Sequence, residues 1–174
     1  MVFGDDAGFV ATQMTSTPNH DTLLDFRLSD CTGKIVEPAK DFSSAPIVVI
    51  FYRGHWCPYC RRYLAKVQTH LPRLTEYAAQ VLAISPEPPT TTSAMVKELS
   101  LSFPLLSDTD GSVIDRFNVR NRFTSAATHV PHPAVFVFDA NKQLRFSSID
   151  RNYKKRTTIR TLVGVLKDIA TKPQ

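Results

Sequence analysis

Apolar and polar positions alternate along the chain in a way that divides it into strands and helices. Ile47–Tyr52, IVVIFY, is an unbroken apolar, β-branched run, the pattern of a strand covered by helices on both faces. Beyond it Cys60, Leu64, Val67, Leu71, Leu74 and Ala78 follow one another at intervals of 4, 3, 4, 3 and 4, one apolar face at helical period. Pro72 falls inside that stripe and predicts a kink or break there. Gln80–Ile84 and Ala134–Phe138 read as further strands, and Asp139–Lys142 turns the second of them back into Gln143–Ser147. Thr92 or Ser93 is expected to cap a short helix ending at Leu99. A turn at Ser107–Gly111 leads to another short helix carrying Val113, Ile114 and Phe117. The last helix starts near Thr157-Thr158 and is expected to bury Ile159, Leu162, Val163, Leu166, Ile169 and Ala170. Near the N-terminus, Asp25–Leu28 and Ile35–Val36 flank a hairpin tip at Ser29–Lys34 that holds Cys31. Residues 1–20 lack periodicity and read as a loose arm, and residues 21–174 read as one domain. Strands alternating with helices and closing on a hairpin and a helix predict an α/β sandwich around a mixed sheet.

Composition narrows the function classes. The 174 residues are 43% hydrophobic, enough for a real core. Twenty-one Lys and Arg against 16 acids give a formal charge of +5, with Lys154-Lys155-Arg156 the longest basic cluster. That cluster reads as a solvated lead-in to the last helix, and no basic stripe with interleaved aromatics marks a nucleic-acid partner. No apolar run approaches the ~18 residues of a membrane span. Met1 to Asp21 lacks the basic-then-apolar pattern of a signal peptide. Three cysteines, an odd count, point to a reducing, cytoplasmic setting.

In that setting Arg53–Arg62, RGHWCPYCRR, carries the chemistry. Cys57 follows a buried strand and opens a helix, with Pro58 where its missing N–H costs nothing. Unpaired N–H groups and the positive end of the helix dipole favour a thiolate. Arg53 and Arg61 add positive charge, so Cys57 is expected to be an exposed attacking sulfur of lowered pKa. Cys60, one turn inward on the apolar stripe, is expected to be shielded and to resolve. Trp56 and Tyr59 would form the rim a partner meets. A zinc site needs four ligands, and one Cys-x-x-Cys pair supplies two. Cys31, His55, His129 and His132 complete it at no recognisable spacing, so neither a metal nor another cofactor is expected. A metal-binding pair and a purely structural pair stand as the alternatives to redox chemistry.

The run IVVIFY into Trp56-Cys57-Pro58-Tyr59-Cys60 resembles the thioredoxin superfamily. Upstream DFRLSDCTGKIV and downstream VLAISPEPP, FPLLSDTDGSVIDRF and AVFVFDANKQLRF resemble its peroxiredoxin-like (alkyl hydroperoxide reductase/thiol-specific antioxidant) branch. FYRGHWCPYC is similar to a Cys-x-x-Cys subgroup of that branch. The resemblance runs from about Asp21 to the C-terminus. It implies a thioredoxin-like three-layer sandwich, a mixed central sheet flanked by helices, with an N-terminal β-hairpin extension. It also implies a cis Pro133 facing Cys57, with His132 beside it. Peroxiredoxins carry Thr or Ser three residues before the peroxidatic Cys and Pro seven before; counted from Cys57, those places hold Gly54 and Ile50, and from Cys60, Cys57 and Arg53. Where that family tends to place a peroxide-contacting Arg before the late strand, this chain has Pro133. The expected activity is therefore thiol–disulfide oxidoreduction on a protein or small-molecule disulfide, with thioredoxin or glutathione as reductant. Hydroperoxide reduction by the same pair is the rival enzyme reading, and a redox-sensing binding module is the non-enzyme one. Glu87, after the second strand, is a candidate proton shuttle at the sheet end that faces the site. No oligomeric state follows from the residues.

Overall fold

In the computed structural model, which describes residues 22–124 and 128–171, the β-branched and aromatic runs pair into one seven-stranded sheet. The strands are β1 (Leu28–Asp30), β2 (Ile35–Val36), β3 (Ile47–Phe51), β4 (Gln80–Ser85), β5 (Leu105–Ser107), β6 (Ala134–Phe138) and β7 (Leu144–Ile149). Their order is β2-β1-β5-β4-β3-β6-β7. The pairs β3–β4 and β4–β5 are parallel and the others antiparallel, so the sheet is mixed, with the β1–β2 hairpin at one edge. The helices are α1 (Pro38–Asp41), α2 (Pro58–Thr69), α3 (Leu71–Thr75), α4 (Pro89–Leu99), α5 (Ser112–Arg116) and α6 (Ile159–Thr171). The loose arm expected over residues 1–20 lies outside the described residues.

Alternation along β3 sorts two cores. Val48 and Ile50 point to one face, where they pack with α2, α3, α4 and α6. Ile47, Val49 and Phe51 point to the other, where they meet α5 and the segment that leads into β1. This is the three-layer α/β architecture that the hydrophobic pattern and the resemblance imply.

Several local expectations are corrected. The long stripe is two helices: α2 ends at Thr69, and α3 begins with Pro72 in its first turn. The stripe stops short of Ala78, which is exposed in a left-handed turn with φ 57°, and Ala79 is buried in its place. Neither Thr92 nor Ser93 caps α4. The helix starts at Pro89, whose ring already holds a helical φ, and the buried Thr92 hydroxyl donates back to the Pro89 carbonyl at 3.0 Å. Strand β5, three residues long, and helix α1 were too short to show a period. The first strand of the hairpin lies at Leu28–Asp30 rather than Asp25–Leu28, because the Asp30 carboxylate accepts the Thr32 and Lys34 N–H groups and fixes the turn. Helix α6 leaves Ala170 exposed and Val163 half-buried.

Candidate active site

Strand β3 ends at Phe51 and the chain reaches α2 through a tight turn that admits only glycine at one point. Gly54 has φ +154°, and a Cβ there would sit 2.5 Å from Trp56 Nε1 and 2.8 Å from Glu87 Oε1. The Cys57 N–H closes the turn on the Gly54 carbonyl at 3.2 Å. Cys57 is then the N-cap of α2, Pro58 its first residue, and Cys60 lies on its buried side. The expectation of an exposed attacking sulfur is corrected: Cys57 is only 1% exposed and belongs to the same apolar cluster as Cys60, Tyr52 and Tyr63. The 54–57 turn folds the residue back toward the core while keeping it at the helix terminus.

The two thiols are separated electrostatically. Burial opposes ionisation of Cys57, yet the thiol and backbone N–H of Cys60, with the charges of Arg53 and Arg156, outweigh it and hold Cys57 below the ordinary thiol range. Burial and the neighbouring Cys57 push Cys60 up to about 11. Two donors meet Cys60 Sγ: the Arg53 backbone N–H at 3.4 Å and the Arg156 guanidinium Nη2–H at 3.1 Å. Arg156 is itself braced by the carbonyls of Tyr153 and Lys155, at 2.7 and 2.6 Å.

The arginines are therefore arranged differently from the sequence expectation. Arg61 turns away to Glu98, 2.8 Å from its carboxylate, because α2 and α4 run side by side there. Arg156, expected to be solvated, comes in across the chain to the dithiol instead. A helix lead-in 96 residues from Cys60 carries no local signal for that contact.

The remaining candidates fall around this centre. Trp56 is 56% exposed, and its ring lies 4.6 Å from the Arg53 guanidinium carbon. Tyr59 packs edge-on to Tyr153 at 5.7 Å and carries the Arg62 guanidinium over its ring at 4.8 Å. Pro133 is buried and precedes Ala134, which pairs with Phe51, so it enters the sheet beside the end of β3. Its peptide bond is trans, which corrects the cis expectation. The His132 N–H to Val119 carbonyl bond (2.7 Å) and the Asp150 N–H to Pro133 carbonyl bond (2.8 Å) hold the segment extended into β6. Burial and the fields of Arg151 and Arg53 keep the His132 imidazole below its ordinary pKa, hence neutral at pH 7. His55 pairs with Glu98 at 3.1 Å. Glu87 accepts the His55 N–H at 2.7 Å, and burial raises its pKa. Cys31 stays apart, in a cleft of about 340 Å³ that neither Cys57 nor Cys60 lines. Among the described residues no three His, Cys, Asp or Glu gather as a metal site, and no helix is long and apolar enough to cross a membrane.

Comparison with known proteins places this geometry in context. Residues 20–147 match the AhpC/TSA family. Alkyl hydroperoxide reductase E of Mycobacterium tuberculosis is 27% identical over 130 residues, which span 74% of this chain and 82% of that protein. The thiol-disulfide oxidoreductase ResA of Bacillus cereus is 26% identical over 115 residues, 66% of this chain and 60% of that protein. The solved peroxidoxin BcpB of Mycobacterium tuberculosis superposes with a TM-score of 0.74 at 22% identity, over 83% of this chain and 92% of that one. A secreted disulfide oxidoreductase of Mycobacterium tuberculosis superposes with a TM-score of 0.60 at 20% identity, over 85% and 98%.

Proposed function

The chain belongs to the AhpC/TSA family and is a thiol-dependent oxidoreductase, and we propose that it works as a thiol–disulfide oxidoreductase through Cys57 and Cys60. The Cys57 thiolate attacks one sulfur of a disulfide. That S–S bond breaks, the first thiolate leaves and takes a proton, and Cys57 holds the second half as a mixed disulfide. Cys60, deprotonated, then attacks Cys57 Sγ and expels the second thiolate. The substrate ends as two thiols and the protein as a Cys57–Cys60 disulfide, which a dithiol of the thioredoxin type or glutathione reopens. Arg53 and Arg156 support the Cys57 thiolate, while Arg61 is held by Glu98. Trp56, Tyr59, Pro133 and His132 line the approach. The cysteine count favours a reducing, cytoplasmic setting for a single domain over residues 21–174.

Gly54 carries the choice of disulfide over peroxide. Rapid peroxide reduction needs donors preorganised on the breaking O–O bond, and the position that supplies a hydroxyl in peroxiredoxins has no side chain here and a backbone angle that L-residues rarely adopt. The rival reading rests on the guanidinium groups of Arg53 and Arg156, which are the cations that favour the Cys57 thiolate, and on the relative named alkyl hydroperoxide reductase E. Stopped-flow fluorescence of Trp56 in the reduced protein separates the two. Hydrogen peroxide is expected to oxidise Cys57 near the rate of an ordinary thiolate, with small disulfides reacting much faster. Peroxide oxidation orders of magnitude above a free thiolate would put the peroxidase first. A sensor that only changes partners would show no sustained turnover with a reductant present.

A further inference from the structure

Arg53 has aromatic rings against its guanidinium and unspent donors. The guanidinium carbon lies 4.6 Å from the Trp56 ring centre and 4.8 Å from that of Tyr153. Such contacts stabilise the cation through the ring faces and use none of its in-plane N–H donors. The Arg53 Nε is buried and unpartnered, and the side chain makes no ion pair among the described residues. Cations also outnumber acids around it. Arg62 lies over Tyr59 and Lys154 over Tyr153 at 5.7 Å, both likewise without an ion pair among the described residues. The nearby carboxylates are engaged elsewhere: Glu98 with His55 and Arg61, and Glu87 with the His55 N–H. Asp150 opens the loop that carries Tyr153, and it pairs with none of these cations.

A guanidinium with N–H donors to spare matches a planar carboxylate in two-point contact. We propose that Arg53, framed by Trp56 and Tyr153, is the specificity-determining receptor for a carboxylate on the substrate, so that the dithiol acts on small carboxylate-bearing disulfides. The proposal rests on the disulfide-reducing reading and names its substrate class. The reaction steps are those given above, with the substrate's carboxylate held on Arg53 while Cys57 attacks its S–S bond.

The first test needs no disulfide chemistry. Reduced protein is alkylated at Cys57 with iodoacetate, an anion, and with iodoacetamide, its neutral counterpart. The ratio of the two rates is divided by that of a free thiol. Arg53→Gln raises the Cys57 pKa and slows both reagents alike, so only the ratio reports recognition. The normalised ratio is expected to be about tenfold higher in the wild-type protein than in Arg53→Gln, as for a charge-assisted contact, and to shrink with added salt. Arg53→Lys should keep part of it. An unchanged ratio in Arg53→Gln overturns the receptor. Should that variant not fold, a wild-type ratio equal to that of a free thiol and insensitive to salt overturns it equally. The second test compares turnover of 3,3′-dithiodipropionate with that of its neutral diamide. A preference for the dianion in kcat/KM, lost in Arg53→Gln, supports the substrate class, and equal turnover overturns it. If neither disulfide turns over while the alkylation ratio stands, the disulfide-reducing reading falls, and the substrate class with it, while the carboxylate receptor survives.

Discussion

Consecutive residues, Phe51 and Tyr52, belong to opposite sides of the sheet, and the two sides are built to different ends. Phe51's side is an aromatic and aliphatic core. Phe117 lies 4.9 Å from both Phe51 and Phe136, and 6.3 Å from Phe26 and Phe138, in tilted and edge-to-face contacts that add to plain area burial. Tyr52's side holds both reactive thiols; the Tyr52 hydroxyl is buried there beside Ser85, and the Tyr63 hydroxyl is buried without a partner among the described residues. Burial pushes both phenols well above their ordinary pKa. Buried polar groups left unsatisfied cost stability, and they cluster where chemistry is done. The aromatic side thus holds the end of β3 in place, and the other side spends stability on a reactive site.

The largest expected effect tests the first half of that contrast. Phe117→Ala removes the ring that four other phenylalanines share, and should cost about 3–5 kcal/mol. Urea unfolding measures the loss. The alkylation rate of Cys57 in the fraction still folded should stay near wild type. A parallel fall in that rate would show that the two sides are not separable.

The sequence carried the aromatic and aliphatic strands well, because β3 and β6 are fully buried and read as continuous apolar runs. It also carried the placement of Cys57 and Cys60 at the start of α2, where Pro58 marks the first turn. It missed what depends on contacts across the chain. The Arg156 approach to Cys60 spans 96 residues, and the pairing of Arg61 with Glu98 depends on how α2 and α4 pack. Cys57 burial is not legible in the sequence for a similar reason: a helix N-terminus predicts polarity, whereas exposure is set by the fold of the preceding turn. Short elements such as α1 and β5 have too few residues to show a period.

A smaller effect is expected at Gly54, where the turn strains any side chain. Gly54→Thr would restore the residue type that peroxiredoxins carry there, but into contact with Trp56 and Glu87 and at a backbone angle that L-residues rarely adopt. It should cost about 1–3 kcal/mol in urea unfolding and should not raise the peroxide rate of Cys57. A variant as stable as wild type that also reacts faster with peroxide would show that Trp56 and Glu87 yield readily. The site would then be a peroxidase site lacking one hydroxyl.

The smallest effect concerns Arg156, and it tests whether the thiol side is tuned or merely tolerated. Cys60 must ionise to expel the second thiolate. Burial holds the Cys60 thiol above its ordinary pKa, so few molecules carry its thiolate at neutral pH. Arg156 opposes that penalty, donating to Cys60 Sγ at 3.1 Å. A hydrogen bond from a charged group is worth about 1.5–3 kcal/mol, so Arg156→Gln should reduce the thiolate fraction about tenfold or more. A thiolate of higher pKa is a better nucleophile by roughly half of that change on a logarithmic scale. The net expectation is a release of the second thiol about threefold to tenfold slower than wild type across the neutral range. Both proteins should show rates that rise with pH, because an acid is most fully ionised above its pKa. Cys57 gives the cross-check: Arg156 also helps hold its pKa down, so in Arg156→Gln its thiolate absorbance should appear at higher pH. Arg156→Lys keeps the charge and should recover part of both effects. If Arg156 only braced the loop through the Tyr153 and Lys155 carbonyls, Arg156→Gln would lower stability but leave the Cys57 titration where it was. Such an outcome would reduce the difference between the two sides of the sheet to packing alone.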